Sequence, residues 1–243
     1  MSLREAISTP AGKVPYVRRL FDTIADRYDL ITVLLSYGQD QRWKRRLIDL
    51  AGPLAGRVVL DLACGTGDLA FLASDRGARV IGLDVTFRMI ELAKGKAAVR
   101  RAARDARFIV GDMMALPFPD RSVDVVTTGY GLRNVPVLEQ SVREIRRVLR
   151  EGGLLLSLDF NRPASAFVRP VYHSYLTVVG STLGFLLHGN ADTYRYIPES
   201  IRNYPGADRV VELLRFNGFL EARWERVLGG LMAIHVAKRD AGA

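Results

Sequence analysis

The stretch Val58-Val59-Leu60-Asp61-Leu62-Ala63-Cys64-Gly65-Thr66-Gly67-Asp68 decides the fold. A β-branched apolar run drives into a glycine-rich turn, and the turn opens an apolar helix. This is a strand–loop–helix unit in which a ligand can touch backbone. Gly65 and Gly67 lack Cβ atoms, so the loop can turn sharply and press against a flat or charged group. Ala70 takes the third place of the Gly-x-Gly-x-x-Gly pattern. Nicotinamide and flavin proteins use that pattern too, so the loop alone does not choose a ligand.

Two acidic residues downstream narrow the choice. Arg79–Asp84 reads as a second buried strand ending in a carboxylate, where Asp84 can accept from both hydroxyls of a ribose. Phe108–Asp112 reads as a third, again ending in Asp. A dinucleotide does not need an acid there. S-adenosylmethionine does, because its adenine amino group must be held, with Asp112 and Met113 flanking the base. The competing roles are a helix N-cap before 86–96 for Asp84 and a turn residue for Asp112. All three features recur in register, which points to a methyltransferase whose candidate cofactor-binding residues are Asp61, Gly65, Thr66, Gly67, Asp84, Asp112, Met113 and Gly129. Thr66 is expected near the methionine end.

A chain of 243 residues suits one α/β domain with an elaborated end. Met1–Gly12 has no long apolar segment, so no secretory signal is expected and a cytoplasmic location follows. Cys64 stands alone, which excludes a disulfide framework and a thiolate metal cage; no His/Asp/Glu grouping has metal-ligand spacing, so no metal is expected. The net charge of +9 invites an anionic partner. Basic clusters lie at Arg42–Arg46, Arg100-Arg101 and Arg143–Arg150, but they are scattered along helices. No RNA- or DNA-recognition motif accompanies them, so transient attraction to a membrane surface is expected and nucleic acid is not.

Val14–Leu50 reads as helices rich in aromatic and basic residues, giving an N-terminal helical cap over 1–50; Ala51–Gly56 links it to a Rossmann-like domain over 51–243. Strands near 58–64, 79–84, 107–111, 123–128 and 153–160 alternate with helices, which demands a parallel sheet with right-handed crossovers. Val137–Arg150 is the clearest amphipathic helix, with Val137, Val142, Ile145, Val148 and Leu149 as its buried stripe and Gly152-Gly153 as its end. Segments near 220–227 and 231–237, joined through Gly229-Gly230, must pair antiparallel. The expected fold is therefore a class I S-adenosylmethionine-dependent methyltransferase: a mostly parallel seven-stranded sheet with an antiparallel terminal hairpin. A helical insertion over about 163–205 interrupts the alternation. From Pro170 to Ala191 it contains no charged residue. Its length reaches the roughly 18 residues of a membrane span, but His, Tyr, Ser, Thr and Gly dilute it, so an apolar lid is expected.

The chain resembles the UbiE-type C-methyltransferases of menaquinone and ubiquinone biosynthesis from about Tyr16 to Lys238. The resemblance rests on Gly131-Leu132-Arg133-Asn134-Val135, supported by Tyr28-Asp29-Leu30, Ala115-Leu116-Pro117-Phe118, and Ala191-Asp192-Thr193-Tyr194-Arg195-Tyr196 with Glu199-Ser200-Ile201. The family pattern has Asn at Thr32, His at Asp40, Ser at Gly129 and Pro at Glu151. The changes at Thr32 and Asp40 fall where the substrate should be covered, and leave room for a related aromatic or quinone acceptor.

The resemblance implies a demethylated quinol with a polyprenyl tail as substrate. Ring carbon is a poor nucleophile until its neighbouring phenol, of pKa near 10, loses a proton. Arg133 is then an electrostatic stabiliser, or acts through a bound water, because a guanidinium stays protonated; its alternative is a salt-bridge role in a loop. Asn134 would fix the ring oxygen, and Tyr28 would orient Arg133 or cover the cofactor. Tyr172, Tyr175, Tyr194 and Tyr196 are expected to line the substrate lid. His173 and His188 lie in that lid and can accept a proton, whereas His235 is expected in the core. A different small aromatic or polyketide-like acceptor remains open, as do a non-catalytic quinone-binding subunit and a homodimer.

Overall fold

The computed structural model describes residues 3, 7, 9–100, 106–163, 165, 167–191 and 193–241. Arg101 of the second basic cluster and Asp192 of the Ala191–Tyr196 motif lie outside them. Among the described residues, helices α1 (Pro10–Ile24), α2 (Tyr28–Leu35) and α3 (Asp40–Asp49) precede the sheet. Then follow β1 (Val58–Leu62), α4 (Asp68–Ser74), β2 (Arg79–Asp84), α5 (Phe87–Val99), β3 (Ala106–Val110), β4 (Val123–Gly129), α6 (Leu138–Val148) and β5 (Leu149–Phe160). The chain ends with α7 (Val168–His188), α8 (Tyr196–Asn203), α9 (Ala207–Phe216), β6 (Arg223–Val227) and β7 (Met232–Lys238).

One sheet has the order β3-β2-β1-β4-β5-β7-β6. The first five strands run parallel, and β7 is antiparallel to both β5 and β6. The α/β fold and its terminal hairpin are as expected. The chain leaves β1 towards β2 and later returns to β4 on its other side, so the loops at the carboxyl edge of β1 and β4 diverge and open a crevice. Helices cover both faces. Val59, Phe71, Ile90, Phe108 and Leu156 form one apolar layer; Leu60, Leu62, Val126, Ile145, Leu155 and Phe219 form the other.

Gly67 makes the sharp turn expected of it and is also held by packing. It sits at φ 97°, and a Cβ there would lie 2.9 Å from the Phe71 ring and 3.1 Å from that of Phe108. Its missing side chain therefore makes room for packing beneath the loop. Gly65, at φ 53°, has Tyr28 as its nearest neighbour at 3.5 Å, so it keeps the upper side of the turn open.

The amphipathic helix also ends earlier than its pattern predicts. Val142, Ile145 and Val148 are buried as expected, but Val137 is exposed at the N-cap and Leu149 already has extended backbone. Leu149 is buried as the first residue of β5, and Gly152-Gly153 lie within that strand. Pairing with β4 shifts register between Val123 and Val125, opposite Leu149 and Leu154. The glycines thus absorb an irregularity in the sheet.

His235 lies in the core of β7, as expected. Its Nε2 is 3.2 Å from the Ala207 carbonyl oxygen, its Nδ1 has no partner, and burial pushes its pKa down to about 4. The folded protein thus favours the neutral ring. Its stabilising contribution is complete above the unfolded pKa near 6.5 and is lost as pH falls towards 4. Urea titrations across that window should show a loss of about 3 kcal/mol, and His235→Gln should flatten this limb. An unchanged acid limb in the variant would assign it to other groups.

Candidate active site

A cavity of about 750 Å³, open solvent included, occupies the crevice. Gly65, Asp84, Asp112, Met113 and Gly129 form its floor, and Val14, Val17, Phe21 and Tyr28 roof it. The Asp84 carboxylate accepts from the Gly65 amide at 2.9 Å and the Thr86 amide at 2.9 Å. It therefore shapes the glycine loop and the turn before α5 while facing the cavity; the N-cap of α5 is Thr86, so Asp84 is not itself the cap. Burial pushes its pKa up, against the pull of those two amides. Asp112 likewise accepts from the Met114 amide at 2.8 Å, the turn role, while lining the cavity beside Met113.

Thr66 does not line this cavity. Its hydroxyl donates to Asp29 at 2.6 Å, and it faces a smaller recess lined also by Lys44, Asp61, Asp68, Gly129 and Tyr130. Within the recess, Asp61 accepts from the Thr127 hydroxyl at 2.7 Å, but its buried Oδ2 has no hydrogen-bond partner. Burial pushes the Asp61 pKa up to about 7. The Lys44 ammonium lies 2.5 Å from Asp40 and 2.8 Å from Asp68. Burial works against its charge, yet the two carboxylates hold its pKa above the usual lysine range. Sequence reasoning missed this cluster. The available signals were the Asp40–Lys44 spacing on one helix face and the position of Asp68 at the start of α4.

A second cavity, about 720 Å³ with open solvent included, lies on the other side of Tyr28. Ile24, Ile31, Leu35, Phe160 and Met232 make it apolar, and Arg133, Tyr194 and Tyr196 reach its wall. Phe21, Tyr28, Tyr130 and Asn134 line both cavities and form the partition between them. Tyr28 and Asn134 were expected near the chemistry; Phe21 and Tyr130 were not. Tyr130 takes φ 63°, rare for a residue with a Cβ, and its hydroxyl donates to Asp40 at 2.6 Å. Its position between Gly129 and Gly131 was the sequence signal for a forced turn. Burial pushes the Tyr28 phenol up to about 12, so it stays neutral near pH 7.

Arg133 is buried and tightly held. Its Nε donates to Asp159 Oδ1 at 3.1 Å, its backbone amide donates to Oδ2 at 3.1 Å, and Nη1 donates to the Ser200 hydroxyl. The guanidinium also lies over the Phe160 ring, 5.2 Å from its centroid. Arg133 thus makes a buried ion pair and also reaches the second cavity. Asn134 donates to the Tyr130 carbonyl at 2.7 Å and accepts from the Tyr196 hydroxyl at 3.0 Å.

The four lid tyrosines separate. Tyr194 and Tyr196 wall the second cavity, whereas Tyr172 packs with Leu176 and Ile201, and Tyr175 meets the Tyr37 hydroxyl outside it. The last two lie outside the lining of this cavity, placed there by the turn of α7. His188 contacts the Tyr194 hydroxyl at 2.8 Å and His173 is buried; neither lines the cavity. Among the described residues no His, Asp or Glu lines it, and no cluster could hold a metal ion.

Solved structures share this architecture. A SAM-dependent methyltransferase from Thermotoga maritima superposes with a TM-score of 0.66 at 17% identity, covering 92% of this chain and all of that one. The [4+2]-cyclase SpnF superposes at 0.64 with 16% identity, covering 93% and 96%. At such identities the likeness concerns fold alone, and a cyclase on the same scaffold shows why. Sequence relatives are nearer. The demethylmenaquinone methyltransferase of Thermus thermophilus is 42% identical over 90% of this chain and 100% of its own length. The ubiquinone/menaquinone biosynthesis C-methyltransferase UbiE of Azotobacter vinelandii is 36% identical over 92% and 89%. The family model described as the ubiE/COQ5 methyltransferase family matches residues 10–239, and the chain belongs to that family as one of its methyltransferases.

Proposed function

We propose that this enzyme transfers the methyl group of S-adenosylmethionine to a ring carbon of a polyprenylated quinol, with demethylmenaquinol as the acceptor. The observation that carries the reading is the pair of cavities with a shared partition. One side offers acids at the ends of two parallel strands. The other is mostly apolar, with Arg133, Asn134 and Tyr196 among its few polar groups.

The residues present fit the donor. Gly65 leaves the turn open, and Asp84 retains acceptor capacity for ribose hydroxyls beyond its two amide bonds. Met113 and Asp112 would hold the adenine. The orphaned Oδ2 of Asp61 would take an ammonium group. When bound, S-adenosylmethionine supplies an electrophilic methyl group on a sulfonium.

On the acceptor side, Arg133 contributes a fixed positive charge that favours the phenolate form of the ring. Asp159, Ser200 and Phe160 prevent it from swinging away, so little reorganisation is needed during reaction. Asn134 and Tyr196, already bonded to each other, would orient the ring oxygen. The apolar walls exclude water and shelter the start of the tail. Because the acceptor is a membrane lipid, the reading places the enzyme in the cytoplasm with transient contact at the inner face of the membrane. Among the described residues no helix is long and apolar enough to cross it.

The direct test supplies demethylmenaquinol in mixed micelles and follows the gain of one methyl by mass spectrometry. The quinone profile of a deletion strain should show the unmethylated precursor. Turnover confined to water-soluble phenols would replace the acceptor assignment, and stoichiometric donor binding without turnover would make the protein a binding subunit.

Asp61 gives the donor site a pH signature. Its carboxylate must be ionised to meet an ammonium, yet burial holds its pKa near 7. Donor affinity should therefore fall about tenfold per pH unit below 7, and Asp61→Asn should flatten the profile. Calorimetry showing the same slope in both proteins would move the ammonium elsewhere.

A further inference from the structure

The outer face of α7 is mostly apolar, broken by the exposed hydroxyls of Ser174 and Thr182. Val171, Tyr175, Val178, Phe185 and Leu186 recur at helical spacing on its solvent side, and Val178, Phe185 and Leu186 are 66%, 65% and 70% exposed. Beside it, α2 exposes Leu30, Val33, Leu34 and, just beyond its end, Tyr37. The contact between the Tyr37 and Tyr175 hydroxyls joins the two ridges into one surface. Inward-facing residues of the same helices, Ile31, Leu183 and Leu187, pack around Tyr194, which walls the acceptor cavity. The apolar surface is thus the outside of the acceptor site.

At the N-terminal half of α7 a groove borders this surface. Arg162, Arg169 and Arg202 line it with His173, Ser174 and Thr177, and Val178 belongs to both groove and ridge. No described carboxylate lines the groove. Arg202 pairs with the half-buried Glu199 at 3.2 Å, and the buried His173 leaves Nδ1 without a partner. Guanidinium forks and hydroxyls suit a phosphate group. A basic groove sharing an edge with an apolar ridge has the polarity of an amphiphile: charge at one end and hydrocarbon at the other.

We propose that this face docks on an anionic phospholipid bilayer, with a lipid phosphate in the Arg162–Arg169–Arg202 groove and the α2 and α7 ridge among the upper acyl chains. The docking rests on the reading of a membrane-dissolved acceptor and adds which surface meets the lipid. Charge complementarity selects the bilayer: the chain carries a net charge of +9, and basic residues at an anionic surface strengthen binding that apolar insertion alone leaves weak. A tail leaving the acceptor cavity beneath these helices would enter the same layer.

The full-length protein is floated with vesicles of phosphatidylcholine alone or mixed with phosphatidylglycerol. Wild type should partition to the mixed vesicles, more weakly at high salt. The pair Arg162→Gln and Arg202→Gln should lose about 20-fold in partitioning to them, with no change in activity towards a tail-less quinol. Phe185→Asp should lower partitioning to both vesicle types. Partitioning of the arginine pair equal to wild type overturns the headgroup groove, while methylation of the tailed quinol in micelles would leave the acceptor reading standing. A pair that loses affinity for inorganic phosphate without losing vesicle binding also overturns it, and marks a soluble anion site. Absence of wild-type partitioning overturns the docking altogether.

Discussion

Arg133→Ala is expected to lower kcat by about two to three orders of magnitude, with only a modest change in KM. The guanidinium is the cation whose value should grow as negative charge develops on the ring oxygen. Arg133→Lys should remain impaired, because an ammonium cannot meet both Asp159 and Ser200 in the geometry of a planar fork. Removing the arginine also leaves Asp159 buried without its counter-ion, which costs about 3–5 kcal/mol of stability. The double variant Arg133→Ala with Asp159→Ala separates the effects. It should recover much of the stability and none of the turnover. Recovery of kcat together with stability would reduce Arg133 to a structural residue.

The other large effect is expected at Asp84. Asp84→Ala should weaken S-adenosylmethionine binding by about 100-fold, since bonds to a charged acceptor are worth about 1.5–3 kcal/mol each. Part of this loss would come through the loop, because the Gly65 and Thr86 amides lose their acceptor as well. Asp84→Asn keeps one carbonyl acceptor and should fall between the two. Calorimetry showing unchanged donor affinity in the Ala variant would remove Asp84 from the donor site.

Legibility in the sequence followed the range of the interactions. The first four parallel strands were readable because each is a short run rich in β-branched residues that ends at or within three residues of a glycine or an acid, a local pattern; β5 was readable instead from its leucine run. The places of Asp84, Asp112 and Met113 at the cavity were legible too, because they sit where strands stop. The turn at Gly67 was legible, but its second constraint, the Phe71 and Phe108 rings packed beneath it, was not, because Phe108 comes from another strand. The end of α6 was misplaced because Leu149 is apolar and buried in either conformation. Tyr130, Lys44 and Asp40 were overlooked as a group because they come from β4's following turn and from α3, and only folding brings them together. The lid tyrosines show the limit of composition. All four belong to a tyrosine-rich insertion, yet Tyr172 and Tyr175 turn away from the cavity that Tyr194 and Tyr196 line.

The partition of Phe21, Tyr28, Tyr130 and Asn134 has a kinetic consequence. Phe21 and Tyr28 roof the donor cavity and also wall the acceptor cavity, and both belong to the N-terminal helical segment. Thr66 and Lys96 tie that segment down through Asp29, as Asp68 does through Lys44. Emptying either cavity therefore disturbs the boundary of its neighbour. Exchange of the spent donor and departure of the methylated ring become linked events on one clock, set by how often these few polar ties let go. A slow release step would then appear identical for acceptors of different tail length, however much their chemistry differs.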